Sequence, residues 1–222
     1  MSPRPLTFAF VMDPIEGLDI EADTTFVLML EAQRRGHRVL TLQPTDLGVH
    51  DGKVVAQACE VSLQRVAGQH AQLKEERKIV LDDEVDVAFQ RKDPPVDIPY
   101  VTATQILALC RKTLVLNRPE AVIACNEKLF TILFDDLMPA TLVTRDISSL
   151  REFMHSLGGE MIIKPLHGKG GEGIFHVDGD DRNLAALLEL ATGYGQDWAM
   201  AQEYLPAVRE GDKRILLVDG EP

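Results

Sequence analysis

The sequence predicts an α/β protein made of two consecutive domains, residues 1–120 and 121–222, the first of them doubly wound. Three observations carry that reading. The chain opens with an apolar run, a helix-spaced segment and a second apolar run, the β-α-β pattern of a parallel sheet covered by helices. Asn117-Arg118-Pro119 then interrupts the pattern as a boundary. Finally, Met161 to Val177 reads as strand, glycine-rich loop and strand, a hairpin-like unit unlike anything before it.

In order, Thr7 to Met12 is a buried strand that stops at the Asp13-Pro14 turn. A helix starts near Asp23, with Asp23 or Thr24 as cap; Phe26, Met29, Leu30 and Gln33 are spaced along it and Gly36 ends it. Arg38 to Leu42 is the next strand. Asp51-Gly52 signals a hairpin with Lys53 to Ala58 as one arm. Gly68 to Lys78 is polar and matches no template. Val85 to Gln90 is a strand that Pro94-Pro95 must end. Tyr100 to Arg111 reads as a helix and Thr113 to Leu116 as a strand.

Beyond the boundary, Pro119 suits the first turn of a short helix, Glu120 to Cys125. Asn126 caps a further expected helix that runs to Phe134. Thr141 to Thr144 is a strand, and Ile147 to Leu157 an amphipathic helix closed by Gly158-Gly159. Asn183 to Ala191 is a helix; Trp198 to Tyr204 and Arg214 to Val218 are strands. Asp219-Gly220 is a hairpin turn signal. The sequence ends where a return strand is expected, and an open apolar edge is a liability. The reading is therefore of the front part of a longer protein.

Four glycines fall in the six positions from Gly168 to Gly173. They free the backbone for φ > 0 and for close approach to a ligand. Successive N–H groups in such a loop form an anion-binding nest. Lys164 stands before the loop and Lys169 inside it, which suggests a lid over a polyphosphate. The loop is neither a P-loop nor a dinucleotide fingerprint, because a β-rich run follows it instead of a helix. A plain hairpin with a glycine-rich turn is the competing reading.

With a net charge of -12, the chain lacks the basic character of nucleic-acid binders, and an anionic ligand needs a local basic pocket. Cys59, Cys110 and Cys125 form no C-x-x-C pair and read as free thiols in a reducing cytoplasm. The six histidines show no metal spacing. No eighteen-residue apolar run suggests a membrane span.

Several further stretches stand out. Lys128 lies in Asn126-Glu127-Lys128-Leu129-Phe130 and could neutralise phosphate charge. Gln202-Glu203-Tyr204-Leu205-Pro206 leaves a strand with backbone groups able to read an adenine edge. Asp212-Lys213-Arg214 places charge after Gly211. Each has a bland alternative: a solvated lysine, an ordinary strand exit, a solvated turn. Taken in order with Val11-Met12-Asp13-Pro14-Ile15, Gln90-Arg91-Lys92-Asp93-Pro94-Pro95, Leu142-Val143-Thr144-Arg145 and Ile163-Lys164-Pro165-Leu166, they resemble the bacterial glutathione synthetase family of ATP-grasp ligases.

That resemblance implies a pre-ATP-grasp domain over 1–120 and the front part of an ATP-grasp domain over 121–222. It implies a reaction in which ATP phosphorylates γ-glutamylcysteine to an acyl phosphate that the glycine amine attacks. Lys128 and Lys164 would hold ATP phosphates. Gly168, Lys169, Gly170, Gly171 and Gly173 would close over them, and Gln202, Glu203, Tyr204 and Leu205 would line the adenine pocket. Asp212 would lie near the nucleotide, with Arg214 and Lys164 at the transferred phosphoryl. Asp13, Arg91, Lys92 and Asp93 would face the dipeptide. Arg91 is the favoured carboxylate partner because its fork fits that group bidentately.

The family also uses Mg²⁺, whose ligands are expected beyond Pro222. No metal residue can be named here, because Asp135-Asp136 and Asp178/Asp180/Asp181 read as helix-end and turn carboxylates. The isolated chain is therefore expected to have little or no activity. Family members often self-associate, so a homo-oligomer is compatible. Another ATP-grasp carboxylate–amine ligase, or a non-catalytic ATP-binding module, remains as the alternative.

Overall fold

The computed structural model describes residues 4–167 and 171–222. Gly168, Lys169 and Gly170 of the expected lid lie outside the described residues. The chain divides into two compact units, one ending at Asn126 and one running from Glu127 to Pro222.

The first unit begins β1 (Thr7–Val11), α1 (Thr24–Arg34), β2 (Arg38–Leu42), β3 (Leu47–His50), β4 (Lys53–Leu63), β5 (Ala71–Leu73) and β6 (Arg77–Val80). A helical turn, α2 (Leu81–Glu84), leads to β7 (Val87–Gln90), α3 (Ile98–Leu107), β8 (Leu114–Leu116) and α4 (Pro119–Ala124). The strands β2, β1, β7 and β8 are parallel neighbours. β4 adds to β2 antiparallel and pairs in turn with β3, β5 and β6. The sheet is therefore mixed, and β4 runs five residues past the arm read from the sequence.

Side-chain alternation along β1 explains why both faces are covered. Ala9 and Val11 pack with Leu40, Ile79 and Leu107 of α3. Phe10 and Met12 point the other way and pack with Phe26 and Met29 of α1. A strand apolar on both faces needs a layer on each side, which is the doubly wound arrangement. Asp23 caps α1 by accepting the Phe26 N–H at 2.8 Å.

α3 starts and ends earlier than the expected Tyr100 to Arg111. Asp97 caps it, accepting the Tyr100 N–H at 2.9 Å, with Pro99 in the first turn. At the far end the Asp82 carboxylate accepts the N–H groups of Arg111, Lys112 and Thr113 at 2.9–3.0 Å. Those donors are drawn out of the helix into a turn. Burial alone would raise the Asp82 carboxyl, but the three N–H groups outweigh it and hold it below the ordinary range.

The second unit contains β9 (Thr141–Thr144), α5 (Ile147–Ser156), β10 (Glu160–Pro165), β11 (Phe175–Asp178), α6 (Leu184–Ala191) and β12 (Ala199–Gln202). The strands lie in the order β11-β10-β12-β9, all antiparallel. One face buries Met161, Ile163, Val177, Ala199 and Ala201 against Leu150 and Met154 of α5 and Leu184 and Leu188 of α6. The other face is left to the site.

Two expected elements are corrected here. The helix from Asn126 to Phe134 is absent: residues 127–129 form a turn, and 3₁₀ turns over Phe130–Leu137 follow, broken at Phe134 (φ -124, ψ 48). None of the side chains from Phe130 to Leu137 is buried, so no packed face enforces an α-helix. The strand from Arg214 to Val218 is also absent. Only an isolated bridge, Val218 to Glu221, is present, and among the described residues no neighbouring strand runs beside Ile215, Leu216 and Leu217. The Asp219-Gly220 turn itself forms, with both residues at positive φ (53 and 84).

Candidate active site

Strand register builds the face of the second sheet opposite its helices. His176, Ile162, Gln202 and Thr141 stand in one row across β11, β10, β12 and β9. Lys164, Met200 and Val143 form the next row. Lys164 thus sits diagonally from Gln202 on the neighbouring strand, within reach of a long side chain. Its ammonium donates to Gln202 Oε1 at 2.5 Å. Gln202 Nε2 donates to Thr141 Oγ1 at 2.9 Å, and the Thr141 hydroxyl donates to the Pro139 carbonyl at 2.7 Å.

Lys128 approaches the same face from the turn after Asn126. Its side chain is only 15% exposed, and its ammonium donates to Glu127 Oε1 at 2.6 Å. Burial, and then the charge of Lys128, pull the Lys164 ammonium below the ordinary lysine range. Two cations near enough to repel each other form a local basic spot in a protein of net charge -12. That spot is what the acidic composition demanded of any anion site.

Of the expected lid glycines, Gly171 and Gly173 lie among the described residues. Gly171 and Gly173 both have positive φ (82 and 71), and a Cβ at Gly173 would meet Pro165 Cγ at 3.0 Å. Glycine at 173 is therefore required by backbone conformation and by closeness to β10. The strand exit continues the ladder one residue, with the Glu203 N–H donating to the Ala140 carbonyl at 2.9 Å. Tyr204 stacks on His176 with ring centroids 4.0 Å apart, and Arg209 lies over the outer face of Tyr204. Glu203 and Leu205 are exposed.

Asp212 and Arg214 lie in the exposed, irregular segment after Gly211, and among the described residues their side chains make no hydrogen bond or ion pair. No group of three or more His, Cys, Asp or Glu side chains is placed to hold a metal, again among the described residues. Asp178 and Asp181 act as turn carboxylates, accepting the N–H groups of Asp180 and Asn183.

In the first unit, β1 and β7 end side by side and bring Asp13 to Lys92 and Asp93. Asp13 Oδ1 pairs with the Lys92 ammonium at 2.9 Å, and Asp13 Oδ2 accepts the Asp93 N–H at 3.1 Å. Lys92 also donates to the Asp93 carbonyl at 2.8 Å. Arg91 points elsewhere: its guanidinium donates to the Thr25 and Thr24 hydroxyls, each at 2.9 Å, at the start of α1. Among the described residues it has no carboxylate partner. Burial raises the Tyr100 hydroxyl, and the charges of Arg91 and Lys92 act on it in the opposite direction, so Tyr100 belongs to this cluster.

Sequence reasoning missed Thr141, Thr24, Thr25, Tyr100 and His176 as members of these clusters. Only Thr24 carried a signal, as a cap candidate. Thr141 and Gln202 are 61 residues apart, and no local pattern joins them.

A membrane-spanning helix is absent among the described residues. Comparison with known proteins agrees with the architecture. The prokaryotic glutathione synthetase N-terminal domain matches residues 6–122, and the ATP-grasp domain of the same enzymes matches residues 127–222. The glutathione synthetase of Agrobacterium fabrum is 45% identical over 215 residues, 96% of this chain and 67% of that protein. Those of Photorhabdus laumondii and Salmonella typhimurium are 43% and 42% identical over 219 residues, 98% of this chain and 69% of each. The chain thus spans about two thirds of the length of these relatives.

Among solved structures, the RimK domain ATP-grasp protein of Sphaerobacter thermophilus is similar with a TM-score of 0.56 at 18% identity, over 90% of this chain and 64% of that one. D-alanyl-alanine synthetase A of Vibrio cholerae is similar with a TM-score of 0.55 at 15% identity, over 92% and 61%. At that identity these two speak for the fold alone. With both of its units matched in sequence order, the chain belongs to the prokaryotic glutathione synthetase family.

Proposed function

We propose that the chain works in the ATP-dependent joining of γ-glutamylcysteine to glycine, giving glutathione, ADP and phosphate through an acyl phosphate. One observation carries the reading: Lys128 and Lys164, 36 positions apart in sequence, are two largely buried lysines whose charges act on each other, Lys164 standing on the face of the second sheet opposite its helices. Such a pair is stabilised when a polyphosphate sits against it. Lys128 and Lys164 hold the nucleotide phosphates as point charges. Met200 and Ile162, with the strand exit from Gln202 to Leu205, supply the apolar surface and backbone edges for the adenine.

ATP supplies the phosphoryl group when bound. The chain's own work is to position it and to keep water away. Phosphoryl transfer depends mainly on positioning and charge stabilisation, which suits a lysine pair under a glycine-rich cover. In this reading the loop from Gly168 to Gly173 forms that cover, Arg214 assists at the transferred phosphoryl, and Asp212 lies near the nucleotide. The family's use of Mg²⁺ finds no matching ligand set among the described residues, so no step here is routed through the metal.

Arg91 takes a carboxylate of the dipeptide, held ready by Thr24 and Thr25, while Asp13 fixes Lys92 and Asp93 beside it. The free thiols Cys59, Cys110 and Cys125 suit the cytoplasm. Titration calorimetry with ATP, followed by phosphate release with γ-glutamylcysteine, glycine and a panel of other carboxylates and amines, tests the reading. ATP uptake and selective turnover with γ-glutamylcysteine support it. A folded protein that takes up no ATP overturns it.

A further inference from the structure

We propose that Thr141 is a positioning residue for nucleotide binding, because its hydroxyl fixes the Gln202 amide in the one orientation that presents an oxygen to Lys164. The chain of hydrogen bonds runs from the Lys164 ammonium to Gln202, from Gln202 to Thr141, and from Thr141 to the Pro139 carbonyl. Both ends have fixed polarity. An ammonium can only donate and a carbonyl can only accept.

The polarity between them then follows. The single hydroxyl proton of Thr141 goes to Pro139, so Thr141 Oγ1 must accept from the amide. Gln202 therefore turns Nε2 to Thr141 and Oε1 to Lys164. Were the amide reversed, its NH₂ would face the ammonium, donor to donor. Thr141 would then spend its proton on Gln202 and leave the Pro139 carbonyl without it. The orientation rests on this balance of donors and acceptors. Gln202 is only 6% exposed, so water cannot easily replace either contact.

The consequence is a lysine aimed by a residue on the far edge strand. With the hydroxyl present, Lys164 is held against β12 and ready for a phosphate. Without it, Gln202 Nε2 loses its acceptor, the amide is held by the Lys164 ammonium alone, and the contact that aims Lys164 loosens. This inference rests on the proposed role of Lys164 in holding ATP.

The test compares Thr141→Val and Thr141→Ser with the parent chain, using ATP titration across pH and thermal unfolding. Valine keeps the shape and suits a strand. The expected result for Thr141→Val is about tenfold weaker ATP binding, the effect of a lost hydrogen bond to a group that orients a charge. The alkaline limb of binding should also move to lower pH, because the oxygen that accepts from the ammonium is no longer held in place. Thr141→Ser should restore both. Equal ATP affinity and an unmoved pH profile in a folded Thr141→Val protein would overturn the inference. So would weakened binding that serine does not rescue. The reading of ATP binding itself fails separately, if the parent chain takes up no ATP or if Lys164→Met binds it normally.

Discussion

Replacing Lys164 by methionine separates binding from folding at a single position. Methionine keeps most of the volume and flexibility of the stem and removes the charge. The structure gives opposing effects on the ligand-free protein. Burial and the neighbouring Lys128 both disfavour the Lys164 ammonium, so deleting it relieves a strain. Against this, Gln202 Oε1 loses its donor, and an unsatisfied buried acceptor costs about 1–3 kcal/mol. These contributions offset, so stability should stay within about 1 kcal/mol of the parent.

Nucleotide binding has no such compensation. A charge-assisted hydrogen bond to a phosphate oxygen contributes about 1.5–3 kcal/mol, or roughly 10- to 150-fold in affinity. The assay is titration calorimetry with ATP beside chemical denaturation of the same samples. The pH dependence follows from the same group. A bound polyphosphate raises the Lys164 pKa above its depressed free value. The lysine's contribution is therefore complete below that free value and fades as pH rises through the alkaline range, beginning below 10.5. In Lys164→Met this slope should flatten. An affinity within twofold of the parent, or an unchanged alkaline slope, would refute the reasoning.

Three further outcomes follow from the geometry. Gly173→Ala should destabilise by about 1–2 kcal/mol in denaturation, since the new side chain meets Pro165 and alanine resists the left-handed backbone. Asp82→Ala should cost about 2 kcal/mol by releasing three N–H donors. The carboxyl pKa values of Asp82 and Asp86 are lowered on folding. Their contribution is thus fully present above the unfolded carboxylate range and lost as pH falls below about 4, which a series of melting temperatures against pH would reveal. Arg91→Lys should weaken γ-glutamylcysteine binding about tenfold in competition titration while sparing ATP binding, because an ammonium cannot span both threonine hydroxyls and a carboxylate.

The parts of the fold that were legible in the sequence are those where burial imposes a period. β1, α1 and β2 have apolar spacing that matches their packed faces, and Asp23, one of the two cap candidates, caps α1. β5 and β6 were not legible. They are short strands of three and four residues that hold to β4 through backbone pairing, too brief for a side-chain period to show. The reverse holds at Ile215 to Leu217, where an apolar run suggested a strand but no strand among the described residues runs beside it. At the site, Lys164 and the glycines could be singled out because each is locally unusual. Thr141 could not, because a threonine in a short strand is ordinary until its partner across the sheet is known.

β12 has a further consequence for how the enzyme can vary. All four of its residues are buried, with alanines at 199 and 201 facing the helices and Met200 and Gln202 facing the opposite side of the sheet. A one-residue slip of its register would exchange the two sets, pressing an amide into the helical layer and leaving methyl groups where Lys164 meets an oxygen. Length changes should therefore be tolerated in the turns on either side of this strand and rejected within it, so homologues and engineered variants alike should keep its spacing even where its letters differ.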